Sequence, residues 1–255
     1  MVETRAHRRL RSIFGTLAKL LFGVIVFGTT IGAYTYLSDA ARMHSPLPDD
    51  KVLDGGCAVW LIGSSSIHRW ETAEADLNGW QVHNRGIEGA RLPELQKRLD
   101  LTKSGAEPTA IILYAGENDL SDAVAAPIVL AHLKQIAATL IQHAPRAKLF
   151  LVSMKPSPAR WNDRSAQLAV NAGLEQIARL HPNIYTIEAG DLLLTGGKPG
   201  AFYRDDGIHL SPAGYTRWGG EIERQLNAQV RRRSEQCGQR NGTGRGGERD
   251  ANRGA

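Results

Sequence analysis

Five short β-type runs recur along the chain, at 58–62, 80–84, 110–114, 149–154 and 184–187. Several are apolar at every position rather than at alternate ones, as strands covered on both faces require. Between and after them, 92–101, 123–143, 163–180 and 212–236 carry the mixed spacing of amphipathic helices. In the third of these, Leu168, Ala172, Leu174, Ile177 and Leu180 are predicted to share the buried face. Strands alternating with helices predict the α/β class: a three-layer α/β/α sandwich on a five-stranded parallel sheet.

A different pattern precedes this region. Residues 13–37 are mostly apolar, and 20–37 contain no charge at all, a stretch of 18 residues at the short end of a membrane span. Arg5, Arg8, Arg9 and Arg11 stand before it, and Lys19 lies where it can snorkel to an interface. Tyr34 and Tyr36 fall where an aromatic belt would lie. The basic flank predicts a cytoplasmic amino terminus and an exported body, held by residues 13–37 as an uncleaved anchor. The alternative is a signal peptide cleaved after Ser38-Asp39-Ala40, giving a secreted protein. Residues 41–56, with Pro46, Pro48 and Gly55-Gly56, read as a linker. The expected organisation is thus a membrane or signal segment over 1–40, a linker over 41–56, a folded domain over 57–237 and a Gly/Arg-rich, disordered tail over 238–255.

The net charge of +5 belongs to the two ends. Residues 1–20 hold five basic residues against one acidic, and residues 231–255 hold seven arginines against three acidic residues, leaving 21–230 at −3. A nucleic-acid-binding core is therefore not indicated. His7, His44, His68, His83, His132, His143 and His181 show no metal-ligand spacing, and no phosphate-binding glycine loop is present.

In an open parallel sheet, chemistry sits beyond the carboxyl ends of the strands. Gly63-Ser64-Ser65-Ser66 follows the first strand and Asn84-Arg85-Gly86-Ile87-Glu88-Gly89 the second. Gly116-Glu117-Asn118-Asp119 follows the third, Lys155-Pro156-Ser157-Pro158-Ala159-Arg160-Trp161 the fourth, and Asp205-Asp206-Gly207-Ile208-His209 comes later in the chain. A serine becomes a nucleophile when an imidazole takes its proton, and a carboxylate orients that imidazole. Each block alone is also an ordinary structural device. Gly-Ser-Ser-Ser suits a turn, Asn118-Asp119 suits a helix cap, and His209 suits a surface. Their joint occurrence at one sheet edge points to catalysis. Ser64 and Ser66 are alternative nucleophiles, and Asp205 an alternative partner for His209. Trp161 is a candidate wall of the substrate pocket, with a place in the core as the other reading.

Over residues 57–225 these blocks resemble the SGNH, or GDSL-type, hydrolase family. Gly63-Ser64-Ser65 stands for the Gly-Asp-Ser block, with Ser64 in place of its aspartate. Gly89 matches the second-block glycine, Gly116-x-Asn118-Asp119 the third block, and Asp206-x-x-His209 the fourth. The resemblance implies a flavodoxin-like sandwich with Ser65, Asp206 and His209 as the catalytic residues. It implies an oxyanion hole from the Ser65 and Gly89 N–H groups and the Asn118 amide, and no cofactor. The expected activity is hydrolysis of a carboxylic ester, with a short acyl group, through an acyl-enzyme on Ser65. The substrate would be a small-molecule or polysaccharide ester of the cell envelope. Rival expectations are a phospholipase or lysophospholipase, and a catalytically idle carbohydrate-binding protein on the same fold.

Two cysteines, Cys57 and Cys237, complete the reading. Cys57 begins the first strand, at the end of the sheet away from the motifs. The final helix starts near His209 and is long enough to return to that end. A Cys57–Cys237 bridge is expected in an oxidising compartment, with two unrelated buried thiols as the other reading.

Overall fold

The structure, a computed structural model, describes residues 3–48, 57–102 and 107–230. The chain divides into two compact units, Met1–Ser45 and Pro46–Ala255.

The first unit is a single helix, α1 (Glu3–Met43). Its Leu17–Met43 portion is long and apolar enough to cross a membrane by length and composition. The hydroxyls of Thr29 and Thr30 both donate to the Val26 carbonyl, and Thr35 donates to Gly32. These three hydroxyls are thereby satisfied within the helix itself.

The second unit carries strands β1 (Ala58–Gly63), β2 (Gln81–Asn84), β3 (Ala110–Tyr114), β4 (Lys148–Val152) and β5 (Ile184–Ile187). All pair in parallel, in the order β2-β1-β3-β4-β5. This is the flavodoxin-like order, whose switch point falls between β1 and β3. The helices are α2 (Ser65–His68), α3 (Ala73–Asp76), α4 (Leu92–Asp100), α5 (Glu117–Ser121), α6 (Ala126–His143), α7 (Arg164–Ala178) and α8 (Pro212–Gln229). A 3-10 segment, Pro158–Asp163, follows β4. A two-stranded hairpin, β6 (Leu194–Thr195) and β7 (Lys198–Pro199), precedes the last helix.

Successive strand residues point to opposite faces, and both faces are buried. Trp60, Ile62, Ile111, Leu113, Leu149 and Leu151 pack under α4, α6 and α7 through Leu95, Leu133, Ile136 and Leu174. Val59, Leu61, Ile112, Tyr114 and Phe150 pack against Ile67, Trp70, Leu77, Trp218 and Ile222 of the α2–α3 region and α8. The three layers and the five-stranded parallel sheet are those expected from the sequence.

Three expectations are corrected. The buried stripe of α7 is Gln167, Val170, Gly173, Leu174 and Ile177, while Leu168 is 48 % and Leu180 62 % exposed. The predicted face was displaced because a buried glutamine occupies a core position and two leucines lie outside it. The helix expected over 123–143 begins only at Ala126: Ala123 adopts φ 62° and separates α5 from α6. The linker expected over 41–56 already belongs to the folded unit at Pro46–Pro48. Leu47 is 2 % exposed and donates its N–H to Thr102 Oγ1, while the Pro46 and Pro48 carbonyls accept from Arg98 and Arg85.

Cys57 is engaged in a disulfide and carries no free thiol. Its expected partner Cys237, the tail over 238–255 and residues 49–56 of the expected linker lie outside the described residues.

Candidate active site

β1 ends at Gly63, where a Cβ would come within 2.0 Å of the Tyr114 carbonyl. Only glycine lets the carboxyl ends of β1 and β3 close this tightly. Ser64 then donates its N–H to the same carbonyl, and the chain turns at once into α2 with Ser65 as its first residue. Ser65 is thus fixed at the sheet's switch point, 7 % exposed.

The imidazole reaches this hydroxyl from the loop before α8. His209 Nε2 lies 2.9 Å from Ser65 Oγ, and His209 Nδ1 lies 2.6 Å from Asp206 Oδ2. Nδ1–H donating to the carboxylate leaves Nε2 free to accept from the serine, the tautomer these partners assign. Asp206 Oδ1 accepts the N–H groups of Ile208 and His209, so the carboxylate is held by its own loop as well as by the ring. Partial burial pushes the Asp206 carboxyl up, but the hydrogen bonds from the His209 ring and from the His209 and Ile208 N–H groups outweigh it and hold it below the usual carboxylate range. Asp205 is exposed and forms no hydrogen bond or ion pair with His209 among the described residues. Ser65 is the serine of its block whose hydroxyl meets the imidazole.

Gly89 is exposed and adopts φ +65° with open space around its Cβ position, so it is the backbone conformation, not crowding, that calls for glycine. Asn118, in α5, donates from Nδ2 to the Ala90 carbonyl at 2.9 Å. Its neighbour Asp119 accepts the Leu92 N–H at the start of α4. The two side chains therefore grip the Ala90–Leu92 segment and fix the loop that presents Gly89. Among the described residues, the N–H groups of Ser65 and Gly89 meet no protein acceptor. Ser65 opens α2, where a backbone N–H has no helical partner, and Gly89 is exposed; open donors of this kind are what an oxyanion would need.

Trp161 lies in the 3-10 segment after β4, half-buried and outside both apolar clusters. Ala159 in the same segment donates its N–H to the Gly207 carbonyl, which ties the segment to the His209 loop. The reading that places Trp161 in the core does not hold.

Several residues at the site have no distinctive local pattern in the sequence. Arg69, one turn after Ser65, forms a bidentate pair with Glu88 at 2.9 and 2.7 Å. The hydrogen bond to Arg69 holds the Glu88 carboxyl below its usual range. The Arg69 Nη1 atom stands 3.2 Å from His209 Nδ1 and 4.0 Å from Asp206 Oδ2. One guanidinium therefore links the serine helix, the Gly89 loop and the histidine loop. Beneath them Lys155 Nζ pairs with Glu117 Oε2 at 2.7 Å, with side chains 0 % and 2 % exposed. Burial pushes the Lys155 ammonium down, and the Glu117 carboxylate opposes that shift. Charged residues directly after two apolar strands were the available signal for this pair.

Comparison with known proteins agrees with the fold. A protein of Streptococcus pneumonia superposes with TM-score 0.61 at 23 % identity, covering 68 % of this chain and 85 % of its own. A carbohydrate esterase family 3 structure from Talaromyces cellulolyticus superposes with TM-score 0.56 at 16 % identity, covering 69 % and 99 %. The lipase/acylhydrolase from Enterococcus faecalis does so with TM-score 0.53 at 20 % identity, covering 68 % and 96 %. At these identities the likeness is one of fold. Residues 55–217 match the GDSL-like Lipase/Acylhydrolase family, which is more than half of the sequence. The chain belongs to the GDSL-like lipase/acylhydrolase family of ester hydrolases.

Proposed function

We propose that this chain is a serine esterase that cleaves short-chain carboxylic esters through an acyl-enzyme on Ser65. The observation that carries the reading is the continuous hydrogen-bonded line from Ser65 Oγ through His209 to Asp206, at 2.9 and 2.6 Å. His209 Nε2 takes the Ser65 proton as Oγ attacks the ester carbonyl, and Asp206 stabilises the imidazolium that forms. The N–H groups of Ser65 and Gly89 and the free N–H of Asn118 receive the oxyanion. Collapse of the intermediate expels the alcohol, which takes the proton from His209. Water, deprotonated by the same imidazole, then releases the acid and restores Ser65. Trp161 borders the acyl or alcohol pocket. Helix α1 anchors the enzyme, with the hydrolase unit on the exported side, where envelope esters such as O-acylated polysaccharides are available.

The test uses the full-length, detergent-solubilised protein and p-nitrophenyl esters of graded chain length. Activity should be greatest with acetate to butyrate, and a fluorophosphonate should label the protein covalently. Ser65→Ala and His209→Ala should each remove hydrolysis while the thermal midpoint stays in place. Undiminished turnover by Ser65→Ala rejects the nucleophile; a preference for long acyl chains replaces the short-chain substrate with a lipid ester; and failure to label supports an idle binding protein.

A further inference from the structure

Asn118 is held at both ends of its amide. Nδ2 donates to the Ala90 carbonyl at 2.9 Å, and Oδ1 accepts from Arg160 Nη2 at 2.7 Å. The flipped amide would set its NH2 against a guanidinium donor and its oxygen against a carbonyl acceptor, so both contacts would turn repulsive. The orientation is therefore fixed, and one Nδ2–H is left without a protein acceptor among the described residues. Arg160 is well placed for this task. It forms no ion pair among the described residues. It sits at the kink of the 3-10 segment, with φ −117° and ψ 24°, and its N–H is bonded to the Ser157 carbonyl. Its neighbour Ala159 is bonded to Gly207, between Asp206 and His209. A charge-assisted hydrogen bond to the amide oxygen also draws electron density from the NH2 group and makes it a better donor.

We propose that Arg160 is a positioning residue: it orients and polarises the Asn118 amide so that the free N–H meets the oxyanion as it forms. The inference rests on the esterase reading above. Because Arg160 acts through Asn118, its loss should weaken the transition state and leave ground-state binding nearly unchanged.

The experiment measures kcat and KM for p-nitrophenyl acetate in full-length wild type, Arg160→Gln, Arg160→Lys, Asn118→Ala and the Asn118→Ala/Arg160→Gln double variant, with Ser65→Ala alongside. Arg160→Gln should lower kcat by about 10- to 100-fold, the range for a misplaced group near the chemistry, with KM within about twofold of wild type on the uniform-binding criterion. Arg160→Lys, which keeps a cationic donor, should recover part of the loss. In the double variant the arginine change should cost no more than about twofold beyond Asn118→Ala, since residues that act as one unit are not additive. Fully multiplicative losses, a rise in KM at constant kcat, or an Asn118→Ala variant as fast as wild type would each overturn the role of Arg160 while leaving an inactive Ser65→Ala, and so the esterase reading, intact. An active Ser65→Ala would overturn both.

Discussion

Asp206 does two jobs with two oxygens: Oδ2 orients the imidazole and Oδ1 closes its own loop through two N–H groups. Its pKa direction makes this separable by pH. A carboxylate whose pKa falls on folding adds stability above its unfolded value, about 3.9, and loses it as the pH drops through the lower folded value. Asp206→Asn should therefore unfold at a lower temperature than wild type at pH 7, with the gap closing below about pH 4. A gap that stays constant from pH 7 to pH 3 would show that the charge is not what stabilises the loop. The same variant should slow hydrolysis less than Ser65→Ala does, because the loop still holds the ring partly in place. At this scale the sequence was most legible where chemistry narrows the choice. Ser65, His209, Asp206, Gly89 and Asn118 stand in motif positions that the fold brings to one end of the sheet. Arg69, Glu88 and Arg160 were not legible, because an arginine's partner is set by tertiary geometry and its long side chain can reach many places.

Among the elements, the central strands β1 and β3 were readable because burial on both faces leaves no position for a polar residue, whereas the edge strand β2 carries Gln81, His83 and Asn84. The helices were less so. Gln167 occupies a core position in α7 and Leu168 an exposed one, and Ala123 breaks 123–143 by a left-handed conformation for which an alanine gives no warning. The junction of β3 with α5 and the end of β4 meet in the Lys155–Glu117 pair, fully buried beside Asn118. Removing one partner of such a pair strands a charge, whereas replacing both with apolar groups does not. Lys155→Met should cost about 3–5 kcal/mol, and Lys155→Met/Glu117→Leu should recover most of it in chemical denaturation. A double variant as unstable as the single one would mean that the pair itself, not charge compensation, holds this junction.

For the whole molecule, α1 exposes apolar side chains on every side: Phe22 is 69 %, Phe27 69 % and Tyr34 72 % exposed, so nothing in the described chain covers them. At about 1.5 Å per residue, Leu17–Met43 is roughly 40 Å long, enough for a bilayer core of about 30 Å. The chain should sediment with membranes and resist extraction by alkaline carbonate. Protease added from the exported side should degrade the hydrolase unit in sealed vesicles. Recovery of a mature protein beginning at Ala41 would instead identify residues 1–40 as a cleaved signal.

Ser65 and His209 are 144 residues apart in the chain. On the proposed topology the body is threaded across the membrane from its amino-terminal side, so the nucleophile emerges early and its base almost last. Every strand must be across before the imidazole arrives. A stalled or half-threaded chain would thus present a serine without a proton acceptor. Completion of export itself would then switch hydrolysis on, with no inhibitor or pro-segment needed to keep the nascent chain silent.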